Sequence, residues 1–210
     1  MTFGPAPGLG TANFTIETWF KREGTGVSTS TGTGGVDAIP LVTKGRAQSE
    51  GSNVDMNYFL GIRPSPPAGC TTNCGSNVLV ADFEEGAGQP SPGLNHPVVG
   101  ATAVTSNVWH HAAATYDGST WQLYLDGNLE TQLALSGNPT PRFDSIQHAG
   151  LATAFDSSGV AAGFFNGVLD EARVWNFART QAEIDATKDI EVSSSAGLIG
   201  RWGMNEGSGT

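Results

Sequence analysis

Basic residues are scarce in this chain. Lys and Arg number 10 against 20 Asp and Glu, a net charge of -10 over 210 residues. A duplex-binding protein needs a basic face to displace counterions, which all but excludes nucleic acid as a partner. An anionic membrane surface attracts the same residues and is disfavoured too. No run of about 18 apolar residues is present, so no segment reads as a membrane-inserted helix. The start, Met1-Thr2-Phe3-Gly4-Pro5, has neither the basic region nor the apolar core of a signal peptide. That leaves a cytoplasmic protein or a domain excised from a longer chain.

Cysteine is almost absent. Cys70 and Cys74 are the whole supply, spaced C-x-x-x-C. A zinc site would need two further ligands, and none stands at a recognisable spacing. A small disulfide loop joining Cys70 and Cys74 is the expected reading and would imply an oxidising compartment; the alternative is two free thiols on an exposed loop. Charged residues of either sign are also sparse, at 14% where about 25% is usual.

Turn formers and aromatics take up the difference. Gly and Pro number 29 and 11, and there are 5 Trp, 3 Tyr and 10 Phe. That aromatic content is unlike a disordered chain. Many turns and many aromatics together fit an all-β domain. The length suits one large domain or two small ones, and no shift in composition divides it.

Alternation with period two is strong. In Phe14 to Phe20, Phe14, Ile16, Thr18 and Phe20 share one face, while Thr15, Glu17 and Trp19 share the other. Further strands are predicted over 39–44, 56–63, 77–83, 97–104, 108–116, 120–126, 128–135, 145–149, 164–175 with a bend near Gly167, and 197–204. Asp117-Gly118 and Asp126-Gly127 are short-hairpin signals. Residues 24–37 and 84–95 read as surface loops, where binding residues concentrate. Thr180-Gln181-Ala182-Glu183 matches a capping box and predicts one short helix over 181–188, with Ile184 inward. The sum is one antiparallel jelly-roll sandwich.

Four segments in order carry a family resemblance: F-T-I-E-T-W-F at 14–20, W-H-H-A-A-A-T-Y-D-G at 109–118, W-Q-L-Y-L-D-G at 121–127, and N-G-V-L-D-E-A-R-V-W-N at 166–176. Together they resemble the laminin-G-like jelly-roll domains of the concanavalin A-like lectin/glucanase superfamily. The resemblance implies two antiparallel sheets. It also implies a His pair, His110 and His111, with one side chain buried and the other on the concave surface. The segment 197–210 resembles the opening of such a domain in a tandem array. Residues 1–196 are thus expected to form the domain. Residues 197–210 are either its completing edge strand or the start of a following repeat, within a longer extracellular or surface-anchored bacterial protein.

Several side chains are candidates for chemistry. Asp82 and Glu84 share a strand face beside Gly86-Ala87-Gly88, so they read as a dyad, a metal or ligand contact, or a solvated strand end. Glucanases with this fold carry E-x-D-x-x-E or E-x-D-x-E, since a retaining mechanism needs two carboxylates about 5–5.5 Å apart. That pattern is missing. Ile146-Gln147-His148 only faintly echoes a polysaccharide-lyase strand. No catalytic residue is therefore expected. Trp19 and Glu17 are candidates for a sugar platform if their face is exposed. Asp170 and Glu171 are expected on opposite faces, with Arg173 paired to Glu171. By order along the chain, the calcium loops of the pentraxin branch fall on Asn53 and Asp55 and on Asp156. Calcium takes oxygen ligands of these types from separate loops.

The expected function is a non-catalytic recognition module for glycan, or an adhesion domain contacting a cell-surface protein, with calcium as a possible cofactor. A monomeric domain within a larger chain is expected. The rivals are a spacer or protein-interaction domain without sugar affinity, and a carbohydrate-active enzyme. The superfold hosts all of these, so fold alone does not choose.

Overall fold

Phe14, Ile16 and Phe20 of β1 (Phe14–Arg22) are fully buried, as the alternation requires. This strand is central to the sheet it founds. In the computed structural model, which describes residues 1–205, β1 pairs antiparallel with β7 (Trp109–Tyr116) and β13 (Gly167–Trp175). β8 (Thr120–Leu125) and β9 (Asn128–Ala134) extend the sheet beyond β7, and β14 (Leu198–Trp202) extends it beyond β13.

The facing sheet runs β10 (Ala149–Leu151), β3 (Asp37–Lys44), β4 (Tyr58–Arg63), β5 (Val78–Asp82) and β6 (Val98–Ala103). The two-residue β2 (Thr29–Ser30) pairs with β3. β11 (Thr153–Phe155) and β12 (Ala161–Phe164) form a separate ribbon. The fold is the antiparallel sandwich that the periodicity predicts.

Side chains from both sheets meet between them. Tyr116 and Trp121 neighbour each other there and both neighbour Phe14 and Phe83, with ring centres 4.7–6.2 Å apart. Burial of this apolar surface, at about 25 cal/mol per Å², is the main force holding the sheets together. Asp126 and Gly127 close the β8–β9 hairpin with φ of 54° and 80°, as a two-residue turn of the right twist demands.

The helix α1 (Gln181–Thr187) carries the expected capping box, with Thr180 and Glu183 satisfying each other's backbone N–H groups. Ile184 is fully buried against Ala113 and Tyr124 on the outer face of the first sheet. Cys70 and Cys74 are joined by a disulfide, with Cα atoms 5.7 Å apart. Among the described residues no helix is long and apolar enough to cross a membrane.

Three strand expectations change. The strand predicted over 145–149 forms only at Ala149. The Lys44 ammonium takes the carbonyls of Ser145 and Gln147, both at 3.0 Å, so that segment bonds a side chain instead of a neighbouring strand. The strand predicted over 164–175 splits into β12 and β13. Gly167 at φ 157° is pressed against Lys21, whose carbonyl would lie 2.1 Å from a Cβ there. The segment 24–37 contains β2 as well as loop. The strand Leu198–Trp202 pairs with β13 at the sheet edge, and Phe3 stacks on Trp202 at 4.3 Å. The end of the expected 197–210 segment, residues 206–210, lies outside the described residues.

Candidate functional site

The residues expected to hold calcium are spread over different roles. Asn53 is exposed, and its carbonyl accepts from the Ile146 N–H at 2.9 Å. Asp55 is buried, and its Oδ2 lies 2.7 Å from the Arg142 guanidinium. Asp156 holds its own turn, accepting from Ser158 and Val160 N–H groups, and pairs with Arg46 at 2.8 Å. Both charges of the trio are therefore already met by arginines. This trio does not fit a calcium ion as a set.

Glu17 differs from its expected place. It is fully buried, because α1 and the chain beside it cover the outer face of its sheet. Its Oε1 accepts from Trp175 Nε1 at 2.8 Å and from Arg179 at 3.0 Å. It offers no surface to a sugar. Both histidines are buried as well. His110 Nδ1 lies 2.8 Å from Asp126. His111 lies under Trp19, its ring centre 5.4 Å away, and 3.5 Å from Glu17. Burial pushes the His111 imidazole down to about 3, with the Arg173 charge adding to the effect.

Trp19 remains available. Its indole N–H donates to the Lys188 carbonyl at 2.6 Å, which pins the ring at the border of the covered face. There it lines an open cleft of about 450 Å³ with Trp109, Asp170, Glu171 and the segment 188–191. Trp109 is 42% exposed, and Lys21 Nζ stands 5.8 Å from its ring centre.

The register explains the meeting of these residues. Trp19 pairs with His111 and Lys21 with Trp109, so the two tryptophans are diagonal neighbours. Asp170 and Glu171 were expected on opposite faces, yet both line the cleft. The β1–β13 register shifts between Glu17 and Trp19, and Glu171 adopts φ 47°. Such a bulge breaks the simple alternation and re-aims side chains. The Arg173–Glu171 ion pair forms as expected, at 2.9 Å.

Asp82 and Glu84 do not form a solvated strand end. Asp82 is fully buried and Glu84 is 2% exposed. Asp82 accepts from Thr31 Oγ1 at 2.6 Å and from the His96 N–H at 2.9 Å. Glu84 accepts from the Met56 N–H, and Asn95 Nδ2 lies 3.4 Å from its Oε1. Loss of solvent pushes Asp82 up to about 8 against the pull of these hydrogen bonds. Burial likewise pushes Glu84 up to about 9, opposed by the Met56 N–H and reinforced by Asp55, Asp82 and Glu50. Among the described residues no three His, Cys, Asp or Glu side chains converge on a metal position by themselves.

Sequence reasoning missed Trp109, Thr31, Asn95 and Glu50. Only Trp109 left a trace, as the aromatic that opens the W-H-H segment within the strand predicted over 108–116.

The sequence profile of the concanavalin A-like lectin/glucanases superfamily matches residues 1–185. The chain belongs to this superfamily. No curated protein matches it by sequence. Among solved structures, it resembles a Bacteroides ovatus ATCC 8483 protein described, provisionally, as carbohydrate binding, with a TM-score of 0.62 and 18% identity. That match covers 93% of this chain and 46% of the other, so the chain spans under half the length of that protein. It also resembles the CBM40 of the Ruminococcus gnavus IT-sialidase bound to α2,3-sialyllactose, with a TM-score of 0.56 and 15% identity over 85% of this chain and 83% of that one. A third is domain 4 of AbnA, a GH43 extracellular arabinanase from Geobacillus stearothermophilus, in complex with arabinotriose. Its TM-score is 0.51 at 16% identity, covering 85% of this chain and 68% of that one. At these identities the likeness is one of fold.

Proposed function

We propose that the chain is a non-catalytic recognition module that docks glycan in the cleft between Trp19 and Trp109. The observation that carries this reading is the exposed Trp109 ring on a cleft whose rim holds Asp170, Glu171 and Asp189. A pyranose presents an apolar C–H face, which stacks on an indole, and hydroxyls, which donate to carboxylates. Aromatic rings give such a site its contact surface, and the placed polar groups around them fix the ligand's orientation. The solved structures with bound sialyllactose and arabinotriose support the reading through shared fold. The burial of Asp82 and Glu84 supports a non-catalytic role, since neither can flank a glycosidic bond of an approaching polymer. The Cys70–Cys74 bridge fits an oxidising compartment, and an extracellular module of a longer chain is the setting proposed here.

A glycan array with the wild type and with Trp109→Ala tests this, with sialyllactose and arabinotriose as the first soluble probes. Binding by the wild type, weakened at least about tenfold in Trp109→Ala at unchanged Tm, is the expected result; tenfold corresponds to about 1.4 kcal/mol. An array with no binding would favour the spacer instead.

A further inference from the structure

Buried Lys and Arg side chains in this protein are ion-paired or fully hydrogen-bonded, with one exception. Arg142 has Asp55, Arg173 has Glu171 and Arg179 has Glu17. Arg22 and Lys44 have no carboxylate, but every side-chain nitrogen of each donates to an oxygen. Arg63 is 6% exposed and has neither form of relief. Among the described residues no carboxylate pairs with it. Its Nη2 donates to the Asn73 carbonyl and, at 2.9 Å, to the Gly75 carbonyl, which holds the chain at the end of the disulfide loop. Its Nε is buried without an acceptor, and among the described residues Nη1 donates to nothing. Loss of solvent lowers its pKa. A buried guanidinium with idle donors is costly unless an anion joins it.

A second, independent feature lies beside it. β3 and β4 pair antiparallel with Ile39 opposite Ile62, so the first residues of β3 and the last of β4 lie side by side at one end of the sheet. Pro64 follows at once and, lacking an N–H, cannot continue the ladder. The segments that leave the sheet here enclose a cleft of about 490 Å³, lined by Arg63, Asp37, Ser28, Ser65, Pro66 and Pro67. Small-molecule sites run from about 300 to 1,000 Å³. Asp37, Ser28 and Ser65 are exposed. Among the described residues Asp37 has no basic partner. One cleft thus brings together a cation without an anion, an anion without a cation, two hydroxyls and stiff proline rings.

We propose that this cleft is a second ligand site and binds a sugar acid, with the ligand carboxylate on the Arg63 guanidinium. Nη1 can donate to that carboxylate without disturbing the Nη2 bonds to the loop. Such charge-assisted hydrogen bonds are roughly twice as strong as neutral ones. A bare anion suits the place less, because Asp37 repels it. A hydroxylated ring answers both charges: its carboxylate meets Arg63, and its hydroxyls donate to Asp37 and exchange hydrogen bonds with Ser28 and Ser65. Its C–H face packs on the proline rings, which are rigid beforehand and lose little freedom on binding. A peptide C-terminus shares the carboxylate but brings no ring of hydroxyls to this rim. The site has no lining residue in common with the tryptophan cleft, so it stands whether or not glycan docks there.

Calorimetric titration with sodium galacturonate tests the assignment, with the side-chain Nε–H resonance of Arg63 as the local probe. The expected result is a saturable heat and a saturable shift of that resonance. Galactose, which lacks the carboxylate, and N-acetylglycine, which lacks the hydroxyls, should each bind at least about tenfold more weakly. Ser65→Phe fills the cleft from an exposed position and leaves the Arg63 bonds in place. It should weaken galacturonate at least about tenfold, as should Arg63→Gln. Trp109→Ala should leave the affinity unchanged. Neither heat nor shift in the wild type would overturn the proposal, and so would a Ser65→Phe variant that responds like the wild type. Equal binding of N-acetylglycine would reassign the cleft to peptide carboxylates, and loss of binding in Trp109→Ala would move the sugar acid to the other cleft; either result overturns it. If Arg63→Gln fails to fold for want of its loop contacts, Ser65→Phe decides alone.

Discussion

Glu17 and Arg179 form an ion pair at 3.0 Å that is buried on both sides. The partners are 162 residues apart in sequence. Arg179 also donates to the Glu183 carbonyl at 2.6 Å and to Thr187 Oγ1 at 2.7 Å, so one guanidinium fastens the helix to the sheet. Its removal leaves a buried carboxylate, a change that costs roughly 3–5 kcal/mol. Arg173, 3.7 Å from Glu17, offers partial compensation. Arg179→Met is expected to destabilise by about 3 kcal/mol, read from the urea midpoint. Glu17→Gln/Arg179→Met should cost less than Arg179→Met, because the pair is then removed together. A double variant at least as unstable as the single one would contradict this account.

His111 sets an acid limit. Its folded pKa lies near 3, against about 6.5 in the unfolded chain. Glu17, Arg173, Asp126, Lys188 and Asp189 are the charged groups acting on it. The unfolded state binds the proton first, so this contribution is complete above about pH 6.5 and is lost as pH falls towards about 3. The slope is at most one proton, about 1.4 kcal/mol per pH unit. His111→Gln should flatten the difference between melts at pH 7 and pH 5. Parallel pH profiles in the two proteins would exclude His111 as the source.

Local signals were legible wherever neighbours in sequence decide the structure. The alternation of β1, the Asp126-Gly127 turn and the Thr180/Glu183 box all act within a few residues. The site was less legible because long-range partners make it. Glu17 reads as exposed until α1 covers its face. Asp170 and Glu171 read as opposed until a bulge turns them together. Asn95 carries no signal of its own, since its meaning lies in Asp82, Glu84 and the 31–35 turn, which only the folded sheet brings near. Cys70 and Cys74 read as a small disulfide loop from their spacing alone, and the fold holds that bridge.

Ile184 links stability to the cleft. It is the buried residue of α1, packed on Ala113 and Tyr124. Ile184→Ala should cost about 3 kcal/mol, from lost transfer energy and the cavity left behind. The chain directly after this helix supplies the Lys188 carbonyl that holds Trp19. Glycan affinity should therefore fall in Ile184→Ala, although Ile184 does not line the cleft. Lost stability with unchanged affinity would show that Trp19 is held by other contacts.

The strand β14 should be needed by the domain and not merely appended to it. Ile199 and Trp202 pack against the central core, and Phe3 stacks on Trp202. Arg201 pairs with Glu171 and, at 2.8 Å, with Glu191, so it ties the edge strand to two residues of the cleft. Covering an aromatic and an aliphatic side chain is worth at least about 3 kcal/mol at the usual area coefficient. Deletion of residues 197–210 should lower Tm by roughly 6 °C or more. It should also weaken glycan binding, since Glu171 and Glu191 lose their shared cation and Asn205, which lines the cleft, is removed. An unchanged melting temperature would mean that β14 rests on a domain already complete without it.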